Sequence, residues 1–362
     1  MTDSIVLALS VLLLVLTLLP LWKNPVWWVR GLDFPRLQLG FVTLLLLAAQ
    51  AYLWAYSAAW QWLVSLATLG CMLYQLWWVT PYSRIWRSEA KAASLEEGRP
   101  RIRLMAANVL TPNRHADQLL ALVRQYQPDV LVAVETDRWW ESQLDQLLPD
   151  YPHCIRCPLD NLYGMHVYSR LPLEDPHLAF LVEPDVPSMH ARVRVNDDLS
   201  IRMHFLHPAP PSPTENEEST ERDVELLLVA KSVQDEKEPI IVTGDLNDVA
   251  WSPTTRLFRK ISGLLDPRVG RGLFATFHAQ HWFLRWPLDH FFHSAHFKVV
   301  HIVRLPAFGS DHFPMFIELE YDAEHTEEQE SLQAEPDDRE EAEEKIRSKG
   351  VSEDDVPEPG KG

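Results

Sequence analysis

The sequence has 362 residues, of which 46% are hydrophobic, and a formal net charge of -18. The charge divides the chain into three regions, because residues 1–100 carry a net +2 whereas residues 101–322 and 323–362 each carry -10. Three cysteines are too few for a scaffold held together by disulfides. The acidic balance also argues against a protein that binds nucleic acid by charge alone, since such binding requires many Lys and Arg side chains against phosphates.

The first region contains three apolar stretches without a charged residue, at about 4–21, 37–56 and 60–79. Each is close to the roughly 20 residues that a helix needs to cross a bilayer, and aromatic residues stand near their ends, as at membrane interfaces. A signal peptide is disfavoured because the first stretch lacks a basic flank and a small-residue cleavage site. The alternative is a buried helical bundle. We predict a transmembrane region over 1–87, with the lipid bilayer as its partner.

The basic residues of this region predict its orientation. Lys23, Arg30 and Arg36 follow the first stretch, and Arg84, Arg87 and Lys91 follow the third. Three spans place both groups on one side, which the positive-inside rule makes cytoplasmic. We therefore expect the following domain to face the cytoplasm. If it is instead exported, the pair Cys154 and Cys157 becomes a candidate disulfide, although two unrelated thiols is the preferred interpretation.

Two further segments have the composition of connecting or unfolded chain. Residues 88–100 are predicted to be a linker. Residues 323–362 are rich in Glu and poor in apolar side chains, so we predict a disordered acidic tail, because such a segment cannot bury enough surface to offset the entropy of ordering. Whether this tail binds a partner stays open.

The region 101–322 alternates strand and helix patterns. The predicted strands are 101–107, 130–134, 165–168, 191–195, 200–206, 240–242, 288–292, 298–304 and 315–319. The predicted helices are 117–126, 139–148, 218–233 and 253–261. We expect an α/β fold in which two mixed β-sheets pack together with helices outside, a four-layer sandwich that follows three transmembrane helices.

Polar side chains stand at the ends of the apolar strands. Glu135 ends one strand and Asp245 ends another, and alternation along an extended chain places Asp245 and Asn247 on one face. Two short motifs follow, 287–290 (PLDH) and 309–314 (GSDHFP). Carboxylates, an amide and a histidine are the groups that a magnesium-dependent phosphoryl-transfer site requires. Each signal is weak when taken singly.

The order of these motifs is more specific. Asn108 after the first strand, Glu135 after the second, a strand-terminal HP pair and then GDLND, LDH and GSDHFP resemble the endonuclease/exonuclease/phosphatase superfamily, and Tyr168-Ser169-Arg170 agrees. The superfamily includes pancreatic deoxyribonuclease, abasic-site endonucleases, sphingomyelinases and inositol-phosphate 5-phosphatases. The resemblance covers roughly 101–320 and is to a bacterial, membrane-anchored member, which implies the bacterial inner membrane.

The resemblance implies a metal site. Glu135 would be the principal Mg²⁺ ligand, with Mn²⁺ as an alternative ion, and Asn108 and Asp311 would complete or support the metal shell. Many nucleases of the superfamily carry an acidic or amide residue two places after the first Asn, where this sequence has Leu110. One Mg²⁺ is therefore preferred to two.

The resemblance also implies catalytic roles. Asp245 would position or deprotonate the attacking water, and Asn247 would hydrogen-bond the phosphate. His312 would lie against the phosphate, oriented by Asp289. His207 would donate to a phosphate oxygen or to the leaving group.

Other residues of the same types are expected to serve the fold. His290, His293, His296 and His301 lack the spacing of a zinc site and are expected to be on the surface or partly buried. His204 is a rival to His207, which is preferred because it ends its strand. The tryptophans at 139, 140, 282 and 286 are candidates for a substrate groove, the core or the membrane face.

These observations predict a membrane-tethered, Mg²⁺-dependent phosphoesterase. A nuclease is slightly favoured by the number of such members in the superfamily, although the charge of -10 lacks the basic stripe of a duplex binder. A phospholipid or inositol-phosphate phosphoesterase is favoured by the three spans. A non-enzymatic membrane scaffold is the third candidate, and the intact set of polar residues argues against it.

Overall fold

The structure is a computed structural model that describes residues 2–94 and 98–360. Its N-terminal part contains α1 (Thr2–Leu18), the short helix α2 (Trp27–Arg30), α3 (Arg36–Leu53) and α4 (Ala59–Val79). With their flanking turns, Thr2–Trp22, Arg36–Leu53 and Ala59–Tyr82 are long and apolar enough to cross a membrane. The three predicted stretches are therefore helices of spanning length.

A line of polar side chains holds the three long helices together. The Gln50 amide nitrogen donates to the Ser10 hydroxyl at 2.9 Å and to the Thr68 hydroxyl at 3.0 Å. Small and polar residues that face one another are typical of helix contacts in membranes, where apolar side chains gain nothing by leaving lipid. The remaining apolar side chains of these helices are largely exposed, as expected of lipid-facing surfaces.

Within the described residues, the second part contains eleven strands and four principal helices. The strands are β1 (Arg101–Asn108), β2 (Val130–Val134), β3 (His153–Cys157), β4 (Met165–Ser169), β5 (Leu173–Ala179), β6 (Ser188–Arg194), β7 (Ser200–Leu206), β8 (Ile240–Asp245), β9 (Asp289–His293), β10 (Phe297–Arg304) and β11 (Met315–Tyr321). The helices are α5 (Ala116–Tyr126), α6 (Arg138–Leu144), α7 (Thr220–Ser232) and α8 (Pro253–Ser262).

The strands form two mixed sheets. One has the order β10-β11-β1-β2-β4-β3 and the other the order β5-β6-β7-β8-β9. Apolar residues of both sheets meet in one central core, while α5 and α6 cover the outside of the first sheet and α7 and α8 cover the second. The predicted four-layer sandwich is confirmed.

Two strands, β3 and β5, escaped prediction, and both are edge strands. β5 has the sequence LEDPHLA, whose proline and two acidic residues are poor strand formers. It forms because it pairs with β6, a contact that its own sequence does not encode. Cys154 and Cys157 lie in β3 as free thiols, in agreement with the preferred interpretation.

The predicted disorder of the acidic tail is wrong for its central part. A helix α9 (Pro336–Ser348) packs against α7 and α8 through the buried side chains of Ala342 and Ile346. These two residues are four apart and so share one helix face. Lys345 adds an ion pair to Asp223 of α7 at 3.1 Å. A narrow apolar stripe and an ion pair suffice to dock a segment that is otherwise acidic.

The predicted linker is also partly packed. Ala90 is buried, Glu89 forms an ion pair with Arg259, and the Ala93 amide donates to the Val299 carbonyl at 2.9 Å. Residues 95–97 of the predicted linker and residues 361–362 of the predicted tail lie outside the described residues.

The three long apolar helices and their connections pack directly on the second part through an apolar group that we call the junction cluster. Its centre is Val79, Tyr82, Val249, Ala250, Trp251, Val269 and Leu288, and its margin includes Phe34, Trp78, Phe277 and Trp286. The Trp251 indole donates to the Asp33 carbonyl at 2.8 Å, and the Tyr82 hydroxyl donates to the Ala250 carbonyl. The loop that follows β8 is therefore fixed against the N-terminal apolar part of the chain.

A buried carboxyl on α7 gives the fold a pH dependence. Burial, with a smaller contribution from Glu183, raises the pKa of Glu225 from 4.5 to about 8. Between pH 4.5 and pH 8 the Glu225 carboxyl is protonated in the folded chain and ionised in the unfolded chain. The free energy of unfolding therefore decreases as the pH rises through this range.

We therefore expect Glu225→Gln to gain stability relative to the wild type as the pH rises from 5 to 8. The gain has an upper bound of about 1.4 kcal/mol per pH unit for one proton. Thermal unfolding in detergent across this pH range measures it, with the exposed Glu217→Gln as the matched control. A difference between Glu225→Gln and the wild type that does not change with pH contradicts the assignment.

Candidate active site

The site is built where parallel strands of the two sheets end. In the first sheet β1 and β2 are parallel with Asn108 opposite Val134, so Asn108 and Glu135 lie side by side. In the second sheet β7 and β8 are parallel with Leu206 opposite Gly244, so His207 and Asp245 are neighbours. The carboxyl ends of both strand pairs face one another across the sandwich, which is the usual position for a site on such a scaffold.

Three residues at these strand ends have backbone conformations with a positive φ. A Cβ atom on Gly244, whose φ is +145°, would lie 1.9 Å from the Leu206 carbonyl oxygen, so glycine alone permits this approach of β8 to β7. Glu135 and Asn247 have φ values of 61° and 51°. Left-handed backbone at residues other than glycine is costly and concentrates at functional sites.

Asn108 joins the two sheets at the site. Its amide nitrogen donates to Glu135 Oε1 at 2.6 Å and to Asp245 Oδ2 at 3.0 Å. Its amide oxygen accepts from the Leu110 backbone amide at 3.0 Å. One neutral side chain thus separates two carboxylates that would otherwise repel each other, and its oxygen is already engaged by the backbone.

Asp245, Asp289 and His312 form the centre of the cluster. Asp245 and Asp289 are opposite each other in β8 and β9, and His312 Nδ1 lies 2.9 Å from Asp289 Oδ2 and 3.5 Å from Asp245 Oδ2. Burial opposes protonation of His312, but the two carboxylates outweigh it and raise its pKa to about 10. His312 is therefore a buried imidazolium ion at neutral pH.

His207 differs from His312 in charge. It is buried at the end of β7, its ring lies 5.6 Å from that of Tyr163, and its Nδ1 atom has no hydrogen-bond partner among the described residues. Burial lowers its pKa to about 4, although Asp245 opposes the shift. The site therefore contains one charged and one neutral imidazole.

Asn247 and Asp311 border this centre. The Asn247 backbone amide donates to Asp245 Oδ1 at 3.0 Å, and its side-chain amide donates to the Pro208 carbonyl at 3.0 Å. The Asp311 carboxylate is close enough to Glu135 to raise the pKa of that residue. Direct contacts or charge interactions thus link all eight residues that the sequence predicts, namely Asn108, Glu135, His207, Asp245, Asn247, Asp289, Asp311 and His312.

Comparison with known proteins agrees with this geometry. Residues 105–312 match the profile of the Endonuclease/Exonuclease/phosphatase family. The chain belongs to this family. No curated protein matches the chain.

Several solved structures have the same fold as this chain. TDP2 of D. rerio in complex with a single-strand DNA product superposes with a TM-score of 0.52 at 14% identity and covers 60% of this chain and 98% of its own. A family protein of Bacteroides thetaiotaomicron gives 0.52 at 18%, covering 62% and 97%. A mannosyl-6-phosphatase from B. thetaiotaomicron VPI-5482 gives 0.51 at 18%, covering 60% and 99%.

Family membership confirms part of the prediction. Members of the Endonuclease/Exonuclease/phosphatase family are divalent-metal-dependent hydrolases of phosphoester bonds, so the predicted enzyme class is confirmed. The solved structures differ in the substrates that their names state and do not decide between the predicted substrate classes.

One carboxylate oxygen in the site of this chain has the environment of a cation ligand. Glu135 Oε2 is buried and has no hydrogen-bond partner among the described residues. Burial raises the pKa of Glu135 to about 7, Asn108 and His312 oppose this, and Asp311 and Asp245 add to it. An acidic oxygen without a partner, beside a second carboxylate, matches the hard oxygen ligands that Mg²⁺ requires.

Asp245, Asp289 and His312 are also close enough together to hold a metal ion, but a hydrogen bond already joins two of them. One ligand atom each from Asp245, Asp289 and His312 lie within 4.8 Å of one another. These atoms are already joined by the His312 hydrogen bond to Asp289, and a protonated imidazole repels a cation.

Several discounted histidines have structural partners. His204 Nδ1 lies 2.7 Å from His190 Nδ1, away from the site. His290 and His293 are completely buried, so the expectation of surface or partial burial is wrong for these two. Arg268 lies 2.6 Å from His290 Nδ1, which places that ring in the fold beneath the site.

The structure adds supporting residues that sequence reasoning missed. The Ser310 hydroxyl donates to the Asn108 carbonyl at 2.8 Å and accepts from the His312 amide at 3.0 Å. Arg222 of α7, which is buried, donates to the Asn247 carbonyl at 2.8 Å. Ser310 stands inside the GSDHFP motif and could have been found there. Arg222 lies in a helix without any local sign of a site.

Proposed function

We propose that this chain is a membrane-tethered, Mg²⁺-dependent phosphodiesterase that hydrolyses its substrate by in-line attack of water. The observation that carries the proposal is that Glu135 Oε2, which has no hydrogen-bond partner among the described residues, lies in the same cluster as Asp245, Asp289 and His312. This arrangement joins a cation position to an acid and a base, which phosphoester hydrolysis needs together.

The residues divide into metal-holding and supporting groups. Glu135 and Asp311 would hold Mg²⁺, or Mn²⁺ in its place, and Asn108 would support them by donating to Glu135 and Asp245. Bound there, the ion would neutralise phosphate charge and polarise the phosphoryl group. Leu110 supplies no oxygen ligand from its side chain, which supports a single metal ion.

Asp245 and His312 carry the central steps. Burial raises the pKa of Asp245, the His312 charge opposes the shift and Asp289 adds to it. A carboxylate with a raised pKa is a better base for the proton of an attacking water. The His312 imidazolium stabilises the negative charge that develops on the phosphate, and Asp289 holds its ring by accepting from Nδ1.

His207 and Asn247 complete the set. Because its pKa is lowered, His207 is neutral, and its Nδ1 atom, which has no partner among the described residues, could bond a phosphate oxygen or the leaving group. Asn247 is held by Pro208 and Asp245 so that it reaches the phosphate from the side of the β8 loop. All eight predicted site residues are present, which supports an enzyme over a non-enzymatic scaffold.

For the substrate we propose a phosphodiester of a membrane lipid. The junction cluster fixes the β8 loop, which begins at Asp245, against the membrane helices, and the domain charge of -10 disfavours polyanionic nucleic acid. A nuclease, which the sequence slightly favoured, is the second candidate. It is supported by TDP2 of D. rerio, whose structure holds a single-strand DNA product.

The first test measures metal dependence and substrate class with the full-length protein in lipid nanodiscs. We expect Mg²⁺ or Mn²⁺ to support hydrolysis of phospholipid and of bis-p-nitrophenyl phosphate, and EDTA to abolish both. Glu135→Gln should lose both activities because the cation loses its principal oxygen ligand, whereas the exposed Glu340→Gln is the matched control and should keep them.

Turnover that persists after chelation, with metal removal confirmed by elemental analysis, contradicts the metal role. Cleavage of single-stranded DNA or inositol phosphates in preference to phospholipid reassigns the substrate and leaves the chemistry in place.

The second test treats His312 and Asp289 as a coupled pair. His312→Ala should lower kcat on the order of 10²- to 10⁴-fold, the usual contribution of a positioned acid or base. Asp289→Asn should cost less because it preserves the shape of the side chain. The double variant should be little worse than His312→Ala, since residues that act as a unit are not additive.

Thermal unfolding of the three variants serves as the control for a structural effect. Losses that multiply in the double variant, or nearly unchanged turnover in His312→Ala, count against the pair and favour His207 as the working histidine.

The third test concerns orientation. We propose that the catalytic domain faces the cytoplasm from the bacterial inner membrane, because both basic groups of the first region lie on the domain side of the helices. A fluorescent protein fused after Gly362 should fluoresce in a bacterial host and alkaline phosphatase at the same position should be inactive. The reverse pattern overturns this orientation.

A further inference from the structure

The segment 277–286, between α8 and β9, connects the catalytic centre with the membrane helices. At its start Phe277 pairs with His312 as an isolated β-bridge, and the two rings lie 5.0 Å apart. The Ala279 amide donates to the Asp311 carbonyl at 2.6 Å. The position of this segment is therefore fixed by two residues of the site.

The far side of the same segment contacts the beginning of α3. The Gln38 side-chain amide donates to the Phe283 carbonyl at 2.9 Å, and Trp286 contacts Phe34 edge to face with ring centroids 5.6 Å apart. Leu37 and Phe41, which flank Gln38 on α3, are exposed as lipid-facing residues would be. The segment consequently lies at the depth at which the second spanning helix would enter the bilayer.

The outer surface of the segment is apolar. Trp282 is 80% exposed and Phe283 is 53% exposed. Adjacent large apolar side chains that face water are unfavourable and mark interaction surfaces. Tryptophan in particular is enriched at the headgroup level of membranes. The segment would lie at this level, because it contacts Gln38 at the start of the spanning helix α3.

Two arginines lie beside this apolar surface. The guanidinium carbons of Arg285 and Arg304 lie 5.0 Å and 4.3 Å from the ring centre of Phe313. Arg304 donates to the Ala275 carbonyl at 2.7 Å and Arg285 to the Ala279 carbonyl at 3.5 Å. Within the described residues neither forms an ion pair with a carboxylate, and Arg285 Nε is buried without a hydrogen-bond partner. Two like charges on one ring that lack a carboxylate partner in this part of the chain favour the approach of an anion.

We propose that residues 278–286 dock into the headgroup layer of an anionic bilayer. Trp282 and Phe283 enter the interface between headgroups and acyl chains, while Arg285 and Arg304 face lipid phosphates. The inference rests on the membrane tether of the proposed function and deepens it, because docking places the catalytic cleft at the bilayer surface. Lipid substrate then reaches His312 without leaving the membrane.

The test measures the depth of residue 282 in the full-length protein. A fluorophore is attached to Trp282→Cys in a background carrying Cys154→Ser, since Cys71 and Cys157 are buried. The protein is reconstituted in vesicles of phosphatidylcholine and phosphatidylglycerol that contain doxyl-labelled lipid. We expect quenching several-fold stronger than for the same fluorophore at Asp198→Cys, which lies in the turn between β6 and β7 at the opposite end of the domain.

A second arm tests the charges. Replacing phosphatidylglycerol by phosphatidylcholine should weaken quenching at residue 282. Arg285→Gln combined with Arg304→Gln should remove this dependence on phosphatidylglycerol, whereas the exposed Arg194→Gln, at the opposite end of the domain, should preserve it. Quenching that does not depend on phosphatidylglycerol in the wild type overturns the role of the arginines.

Equal quenching at residues 282 and 198 overturns the docking itself. The measurement needs no turnover, so its result is separable from that of the hydrolysis test. A quenched probe on an inactive protein refutes the proposed function and supports docking, and an unquenched probe on an active phosphodiesterase does the reverse.

Discussion

The hydrogen bonds of the Asn108 amide to Glu135 and Asp245 are the interaction on which the site depends. Two carboxylates from different sheets can approach this closely only because a neutral donor stands between them. The register of the parallel strands brings these residues to one level, and Ser310 holds the Asn108 carbonyl from the loop before β11. The packing of the sandwich and the geometry of the site are thus specified by the same contacts.

Charge compensation explains the rest of the arrangement. Buried carboxylates are costly unless an opposite charge or a donor accompanies each of them. His312 compensates Asp245 and Asp289 from within the site, and Arg222 compensates Asp223 and, at 3.6 Å, Asp248 beneath it. Among the described residues, Glu135 Oε2 has no such partner. Within the site, the uncompensated carboxylate oxygen therefore lies where a divalent cation would be bound.

The sequence predicted which polar residues lie together at the strand ends better than it predicted the periphery. Asp245 and His312 belong to short motifs at strand ends, and a strand end is determined by local pattern and by the rule that parallel strands finish at one edge. By contrast α9 forms through contacts with α7 and α8, which are distant in sequence, and β5 forms by pairing with the next strand, β6. The residues of both elements are largely polar. The same holds for the segment 277–286. It has no periodic pattern, and its position follows from contacts with α3 and His312 that only the folded chain provides.

The junction cluster also determines what happens when the chain is cut. The second part of the chain is attached to the three long apolar helices by Tyr82, Trp251 and Leu288 as well as by the covalent chain. A single cut between α4 and β1 would therefore nick the protein without releasing the second part, because the apolar contact remains. Packing as well as chain continuity keeps the two parts together, and the second part expressed without these helices would present this apolar face to water and to other copies of itself.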